Sequence, residues 1–324
     1  MKSEIEESKE PASLLSKLLF DRQFVVTAEL TLPDSPEPEP LLEVAQTLNP
    51  YSDALNLTDA TSATPHFSSL AAATLLIQAG IEPIMQISCR DKNRIAIQGD
   101  VIGAHALGIR NILCVTGDGV ESGDHPSAKP VFDLDSITLI ANLSNMVAKG
   151  EYESGRKFMG PLKLNIGGAV NPFAPPFDFR PHRLLKKAGA GASFFQSQFC
   201  FDLTRLRDFL DRLHHISDRP IPPIIVGVGP LRSARVASWM TNNVPGVYIP
   251  QPLIDRLSQY PHKEQSKAGL EITYELVDAI KNLKGVAGIH IMAYKWESAV
   301  AEIVKNSGLS KSERKLSAEP LRGF

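Results

Sequence analysis

Six short stretches of this 324-residue chain run from apolar residues into small polar ones, and the side chains at those junctions are equipped for chemistry. Glu29 lies near the end of "FVVTAEL", Thr58 and Asp59 follow "DALNL", Gln86 and Ser88 lie in "IMQIS", and Thr116, Gly117 and Asp118 follow "ILCV". Farther on, Asn171 follows "IGGAV", and Gln196 and Gln198 stand in "SFFQSQF". Amides and hydroxyls with a carboxylate or two match the donor and acceptor edge of a flat heterocycle, while apolar walls hold its face. A carboxyl set like Glu29 has two ordinary fates. It pairs with an arginine, or it loses water and its pKa rises until it holds a proton near neutral pH.

Other chemistries find less support. The eight histidines include no H-x-x-x-H pair, so no metal site is expected, and no G-x-S-x-G elbow marks a nucleophilic serine. Cys89, Cys114 and Cys200 are far apart and lie in or beside apolar runs, which suits core thiols in a reducing compartment. A net charge of -2 and a pI near 6.5 leave no basic footprint for nucleic acid. The charged start "MKSEIEESKEPASLL" is unlike a signal segment, and no run approaches the roughly 18 apolar residues that span a bilayer. The expectation is a cytoplasmic protein that does not engage membranes.

The elements that must position these residues alternate. "FVVTAEL" reads as a strand and "EPEPLLEVAQTLNP" as a proline-started helix; "DALNL" is followed by the helical "HFSSLAAATLLIQAG". The rhythm continues through "EPIMQIS", "RNILCVTGD", "LKLNIGGAV", "SFFQSQF" and "PPIIVGVGP", each with a helical partner, to "GIHIMAY". A helical insertion from about Pro252 to Leu283 precedes that last strand. Eight Val/Ile-rich strands alternating with helices imply an α/β fold of the (β/α)8 TIM-barrel type. A doubly wound open sheet is the competing arrangement, but the glycine-rich phosphate turn it would carry after its first strand is missing. The expected organisation is an N-terminal extension over 1–20, a single barrel domain over 21–308 and a tail over 309–324. In a barrel, the loops after the strands converge on one face, and the polar junction residues become the lining of a shared mouth.

These residues carry a resemblance. "TAEL", "LNLTDA", "CRDKNRIAIQGDVIGAHALGIRNILCVTGD", "AGAGASFFQSQFCFD" and "IIVGVGP" are, in order and spacing, similar to the methylenetetrahydrofolate reductase family, from about Phe24 to Glu297. The most specific pieces are G-I-R-N-I-L-x-x-x-G-D and Q-F-x-F-D. The resemblance implies a flavin-containing barrel that reduces 5,10-methylenetetrahydrofolate to 5-methyltetrahydrofolate, with FAD or alternatively FMN as cofactor and NADH or NADPH as donor. It places Glu29 as the general acid of the folate step and Asp118 between flavin and pterin, with Gln198 on the substrate ring. Thr58, Gln86, Thr116 and Gly117 fall at flavin-contacting positions with Asp118 and Asn171, and Lys187 falls on the phosphate side.

The departures are equally specific. Gln86 stands in "QISC" where many members carry a histidine in H-L-T-C, and Thr116 replaces an arginine before the G-D pair. "LNIGGAVNPFAPPFDF" replaces an A-x-Y-P-E-x-H pattern, a variant resembling reductases of anaerobic folate pathways, some of which receive electrons from partner subunits. The resemblance also implies a homo-oligomer. A folate-binding subunit without redox chemistry of its own, presenting C1-folate to a methyltransferase, is the alternative.

Overall fold

The computed structural model describes residues 10–316. Eight parallel strands close on themselves in chain order: β1 (Val25–Leu30), β2 (Ala54–Leu57), β3 (Pro83–Ser88), β4 (Asn111–Val115), β5 (Asn165–Val170), β6 (Phe194–Phe199), β7 (Ile224–Val228) and β8 (Val286–Ile291). β8 pairs back onto β1, Val26 opposite Ile289. The barrel is therefore closed, as the alternation predicts.

Helices follow the strands as an outer ring. α2 (Glu39–Leu48), α3 (Ser69–Gln78), α4 (Arg94–Ala106) and α5 (Ser136–Lys149) serve the first half; α6 (Phe179–Gly189) and α7 (Leu203–Ile216) follow β5 and β6. Between β7 and β8 lie three helices, α8 (Ala234–Asn243), α9 (Gln251–Ser258) and α10 (Gln265–Ile280), the last two occupying the expected insertion. α11 (Glu297–Asn306) and α12 (Lys311–Leu316) follow β8. Each β residue alternates between two environments. Val26, Ala28 and Leu30 pack outward with the helices, whereas Val25 faces an inner cluster.

That inner cluster fills only one end of the barrel. Val25, Ala54, Ile84, Leu113, Phe194, Ile225 and Ala287 meet Leu15 and Leu19 of an N-terminal helix, α1 (Leu14–Phe20). The helix is fastened by polar contacts: Ser13 Oγ donates to Asn111 Oδ1 at 2.6 Å, and Asn111 Nδ2 donates to Glu82 at 2.8 Å. Asn165 Nδ2 reaches the same Asn111 oxygen at 2.9 Å. At the same end, Asp53 accepts from the backbone N–H of Val26 and pairs with Arg314 of α12.

The glycine pair in "NIGGAV" now has a physical reason. A Cβ on Gly167 would lie 2.3 Å from the ring of Phe194, so the bare backbone of β5 is what admits a phenylalanine to the inner cluster. Gly167→Ala should therefore destabilise the fold by about 1–3 kcal/mol, measured by urea unfolding. The double variant Gly167→Ala, Phe194→Leu should destabilise by less than the sum of the two single changes.

Candidate active site

Above the inner cluster, at the carboxyl ends of the strands, the barrel holds a cavity of about 280 Å³. Its wall is mixed. Glu29, Asn56, Gln86, Gln196, Ser197 and Gln198 supply polar groups, Leu113, Val115, Val170, Leu184 and Met292 supply apolar surface, and His290 of β8 completes the polar set. Arg180, Arg183 and Lys187, all on α6, form a cationic side.

Strand geometry explains who reaches the cavity. Thr27 and Glu29 follow Val25 at a spacing of two, so they rise up the inside of β1 from the apolar plug to the cup. On β6, Gln196, Ser197 and Gln198 all border the cavity, although consecutive strand residues normally face opposite ways. The cause is a register shift between β6 and β7, from Gln196 to Phe199. Ser197 Oγ accepts from the backbone N–H of Gly227 at 2.9 Å, replacing a ladder partner.

Beneath Glu29 lies a buried polar chain. Thr27 Oγ1 is 3.0 Å from His290 Nδ1, and Gln196 Nε2 donates to Thr27 Oγ1 at 3.4 Å. The Thr27 hydroxyl thus meets both Gln196 and His290, and the direction of its bond to Nδ1 follows the His290 tautomer. Burial pushes the His290 pKa down to about 4. The amide oxygens of Asn56 and Gln196, on side chains 1% and 3% exposed, have no hydrogen-bond partner.

Burial acts on Glu29 in the opposite direction. Part of its surface faces the cavity, but the carboxyl lies deep within the barrel and its pKa rises to about 7. Desolvation is the cause, and no arginine pairs with it among the described residues. Of the two fates open to it in the sequence, pairing with an arginine is not the one seen among the described residues.

The other expected site residues divide into two groups. Gln86, Asn171, Lys187 and Gln198 line the cavity with Glu29. Lys187 is 5% exposed, donates from Nζ to the Ala169 carbonyl at 2.6 Å, and has its pKa lowered to about 8, first by burial and then by Arg183. Asn171 Nδ2 donates to Gly246 O at 3.0 Å, and its Oδ1 accepts from the N–H of Phe173. Gln198 Nε2 reaches Pro245 O at 3.4 Å. Both amides thus hold the segment between α8 and α9.

Thr58, Thr116, Gly117 and Asp118 stand outside that lining. Thr58 is buried at the end of β2, and Asp59 beside it accepts from the backbone N–H of Ser88 at 2.9 Å. Thr116 Oγ1 donates to Ser136 Oγ and accepts from the Ser136 N–H, joining β4 to the first turn of α5. It borders a second cleft of about 730 Å³ whose wall includes Arg94, Phe132, Asp133 and Glu153. Gly117 has φ +89, and a Cβ there would sit 2.4 Å from Ser88 Oγ. Asp118 is exposed in the loop beyond β4, and its charge is felt at Arg90. Asn56, His290, Arg180 and Arg183 are cavity residues that the strand-end reading did not single out. The first two lie within strands, and the arginines lie on a helix face four and seven residues before Lys187.

The comparisons accord with this geometry. The methylenetetrahydrofolate reductase family model matches residues 14–308. The chain belongs to that family. A Caenorhabditis elegans protein named probable methylenetetrahydrofolate reductase (NADPH) is 26% identical over 264 residues, which make up 81% of this chain and 37% of that protein. Methylenetetrahydrofolate reductase 2 of Schizosaccharomyces pombe is 26% identical over 240 residues, 71% of this chain and 36% of the relative. The chain thus spans little more than a third of the length of these two family members. A solved structure of an uncharacterized protein from Clostridium thermocellum, which binds two copies of 5-methyl-5,6,7,8-tetrahydrofolic acid, superposes with a TM-score of 0.62. At 16% identity, covering 94% of this chain and 100% of that one, the likeness is one of fold. No helix among the described residues is long and apolar enough to cross a membrane.

The pKa of Glu29 has a consequence for stability. Between the ordinary value of 4.5 and about 7, the folded carboxyl binds more proton than the unfolded one, so stability falls as pH rises through that window. His290 works the other way, because its lowered pKa makes stability rise between about 4 and 6.5. Comparison with Glu29→Gln separates the two. From pH 5 to pH 8, wild type should lose about 2–3 kcal/mol relative to the variant in urea unfolding; parallel pH profiles would count against a protonated carboxyl.

Proposed function

We propose that this chain reduces 5,10-methylenetetrahydrofolate to 5-methyltetrahydrofolate with a bound flavin, and the Glu29 carboxyl, set in the cup with no cationic partner among the described residues, is the observation that carries the reading. The family membership supports the reaction class. Opening the five-membered ring of the substrate needs a proton at the departing nitrogen, and an acid with a pKa near 7 holds that proton at neutral pH and can release it. Glu29 is the group in the cavity matched to that task.

The residues present fit a flavin. Apolar surface from Leu113, Val115 and Met292 suits the face of a fused ring, the amides of Gln86 and Gln198 suit its edge, and Lys187 with the arginines of α6 suits its phosphate. A reduced flavin bound there would supply the hydride that converts the opened methylene group to methyl. FAD is the expected form, FMN the alternative, and NADPH, NADH or an electron-delivering subunit the donor. Asp118 would serve by placing a carboxylate at the edge of the mouth, where a developing cation on the substrate is stabilised. Thr58, Thr116 and Gly117 would act from behind the lining, holding the loops that carry it. A cytoplasmic homo-oligomer is part of the same proposal.

A second reading has a specific observation in its favour. The cavity is just below the about 300–1,000 Å³ usual for pockets that take drug-sized ligands, so the cup itself receives one ring system. The Clostridium thermocellum neighbour binds methyltetrahydrofolate. A folate-binding subunit that serves a methyltransferase would need no more. Anaerobic turnover with FAD or FMN and each donor separates the readings: measurable 5-methyltetrahydrofolate supports the reductase, and folate affinity without turnover under every donor supports the carrier. In the reductase, Glu29→Gln should lower turnover about 10²–10⁴-fold while folate affinity stays within about threefold.

A further inference from the structure

One buried acceptor beside the acid has no donor. Asn56 is 1% exposed, yet its Oδ1 meets no N–H or O–H among the described residues. An amide oxygen so placed is costly to leave bare, so a donor is to be sought next to it. β1 and β2 pair with Glu29 opposite Asn56. Registered neighbours in a parallel ladder stand about 4.8 Å apart, and both side chains border the same cavity. Glu29 is thus the ionisable side chain beside the bare oxygen.

Glu29 has the complementary deficiency. No ion pair or hydrogen bond holds its carboxyl among the described residues, and burial alone drives its pKa to about 7. An ionised carboxylate only accepts and has nothing to give an amide oxygen, whereas a protonated one carries an O–H donor. The two unmatched groups therefore match each other in one protonation state. The other bare oxygen, Gln196 Oε1, belongs to an amide drawn to a lower level, since its Nε2 reaches Thr27 Oγ1 two residues down β1 from Glu29. The charged and titratable groups that share the cavity with Glu29 are His290 on β8 and Arg180, Arg183 and Lys187 on α6, and none of them pairs with it. β2 through β6 line the cavity with uncharged side chains. Asp59, past the end of β2, is engaged by the Ser88 N–H and by Lys92.

We infer that Asn56 is a positioning residue for the acid: its Oδ1 accepts the Glu29 carboxyl O–H and fixes the protonated oxygen on the β2 side of the cup. The inference rests on the functional reading above for the use of that proton, while the pairing itself needs no ligand. It adds to burial a bond that only the neutral acid makes, so removing the acceptor releases the proton more easily. A side chain at position 56 that merely fills space predicts the reverse, because a hydrocarbon in its place deepens the desolvation of the carboxyl and holds the proton harder. The sign of the change separates the two.

The Glu29 midpoint is read by infrared titration of the protonated-carboxyl C=O band in the protein as purified, with Glu29→Gln as the blank. Asn56→Leu should lower it by about one unit, and Asn56→Thr, which keeps an acceptor oxygen, by less. Where folate is turned over, the alkaline limb of the kcat profile should move down by the same amount. A crystal structure of wild type at pH 5 gives a check that needs no variant. A Glu29 carboxyl oxygen and Asn56 Oδ1 should lie about 2.5–3.0 Å apart, a separation that two oxygens keep only with a proton between them. A midpoint that stays or rises in Asn56→Leu, or an oxygen–oxygen separation beyond about 3.5 Å, overturns the pairing and leaves the reductase reading standing. A midpoint that falls in a protein making no 5-methyltetrahydrofolate with any flavin and donor keeps the pairing and removes that reading.

Discussion

A closed parallel barrel has an interior that must be filled from one end if the other is to bind anything, and this chain fills it from below. Phe194 enters the space that Gly167 leaves open, and Leu15 and Leu19 of α1 cover what remains. The plug is apolar on the inside and ringed at its edge by Ser13, Glu82, Asn111 and Asn165 in mutual hydrogen bonds. Without it the side chains above would rest on a void or on water. The position of Glu29, two steps up β1 from Val25 through Thr27, follows from where the plug stops.

The electrostatics of the cup follow from that placement. Low dielectric above the plug disfavours every charge equally, yet the groups respond according to their chemistry. Glu29 holds its proton up to about 7, His290 is neutral above about 4, and Lys187 remains a cation only because its displaced pKa of about 8 still lies above neutrality. The net result near neutral pH is a cavity with one positive wall, a neutral His290 and a Glu29 carboxyl that carries only part of its charge. Such a field favours a ligand with a neutral ring and an anionic chain, which describes flavin nucleotides and folates alike.

Much of this was readable in the chain because strand ends in a parallel barrel are a periodic signal. Eight apolar runs, each followed by a helical pattern, were enough for the architecture, and Glu29, Gln86, Asn171 and Gln198 were identifiable as the polar residues where those runs end. The register shift at Gln196 to Phe199 leaves no periodic trace, so the sequence could not show that Ser197 and Gln198 would face the cavity together. The strand-end rule also overlooks Asn56 and His290, which lie inside "ALNL" and "GIHIMA" and read as core positions. On α6 the spacing of Arg180, Arg183 and Lys187 was present in the residues, but which face of a helix meets a cavity is decided by packing. Gly117 shows the converse: its positive φ and contact with Ser88 give it a backbone role that a G-D pair conceals.

The segment between α8 and α9 is tied to the cavity through two of the lining residues. It is held by two amides of the cavity wall, Asn171 through Gly246 at 3.0 Å and Gln198 through Pro245 at 3.4 Å. A 3.0 Å bond is of ordinary strength, whereas one at 3.4 Å is weak. Asn171 is also braced by the N–H of Phe173, so its side chain is fixed from both ends within the β5 loop. Gln198 is braced by the N–H of Phe199 at its oxygen alone, and its Nε2 is left with one weak partner. The two amides therefore divide the labour: Asn171 keeps the segment in place, and Gln198, set free by the irregular strand that carries it, is the one with a hydrogen bond left to offer.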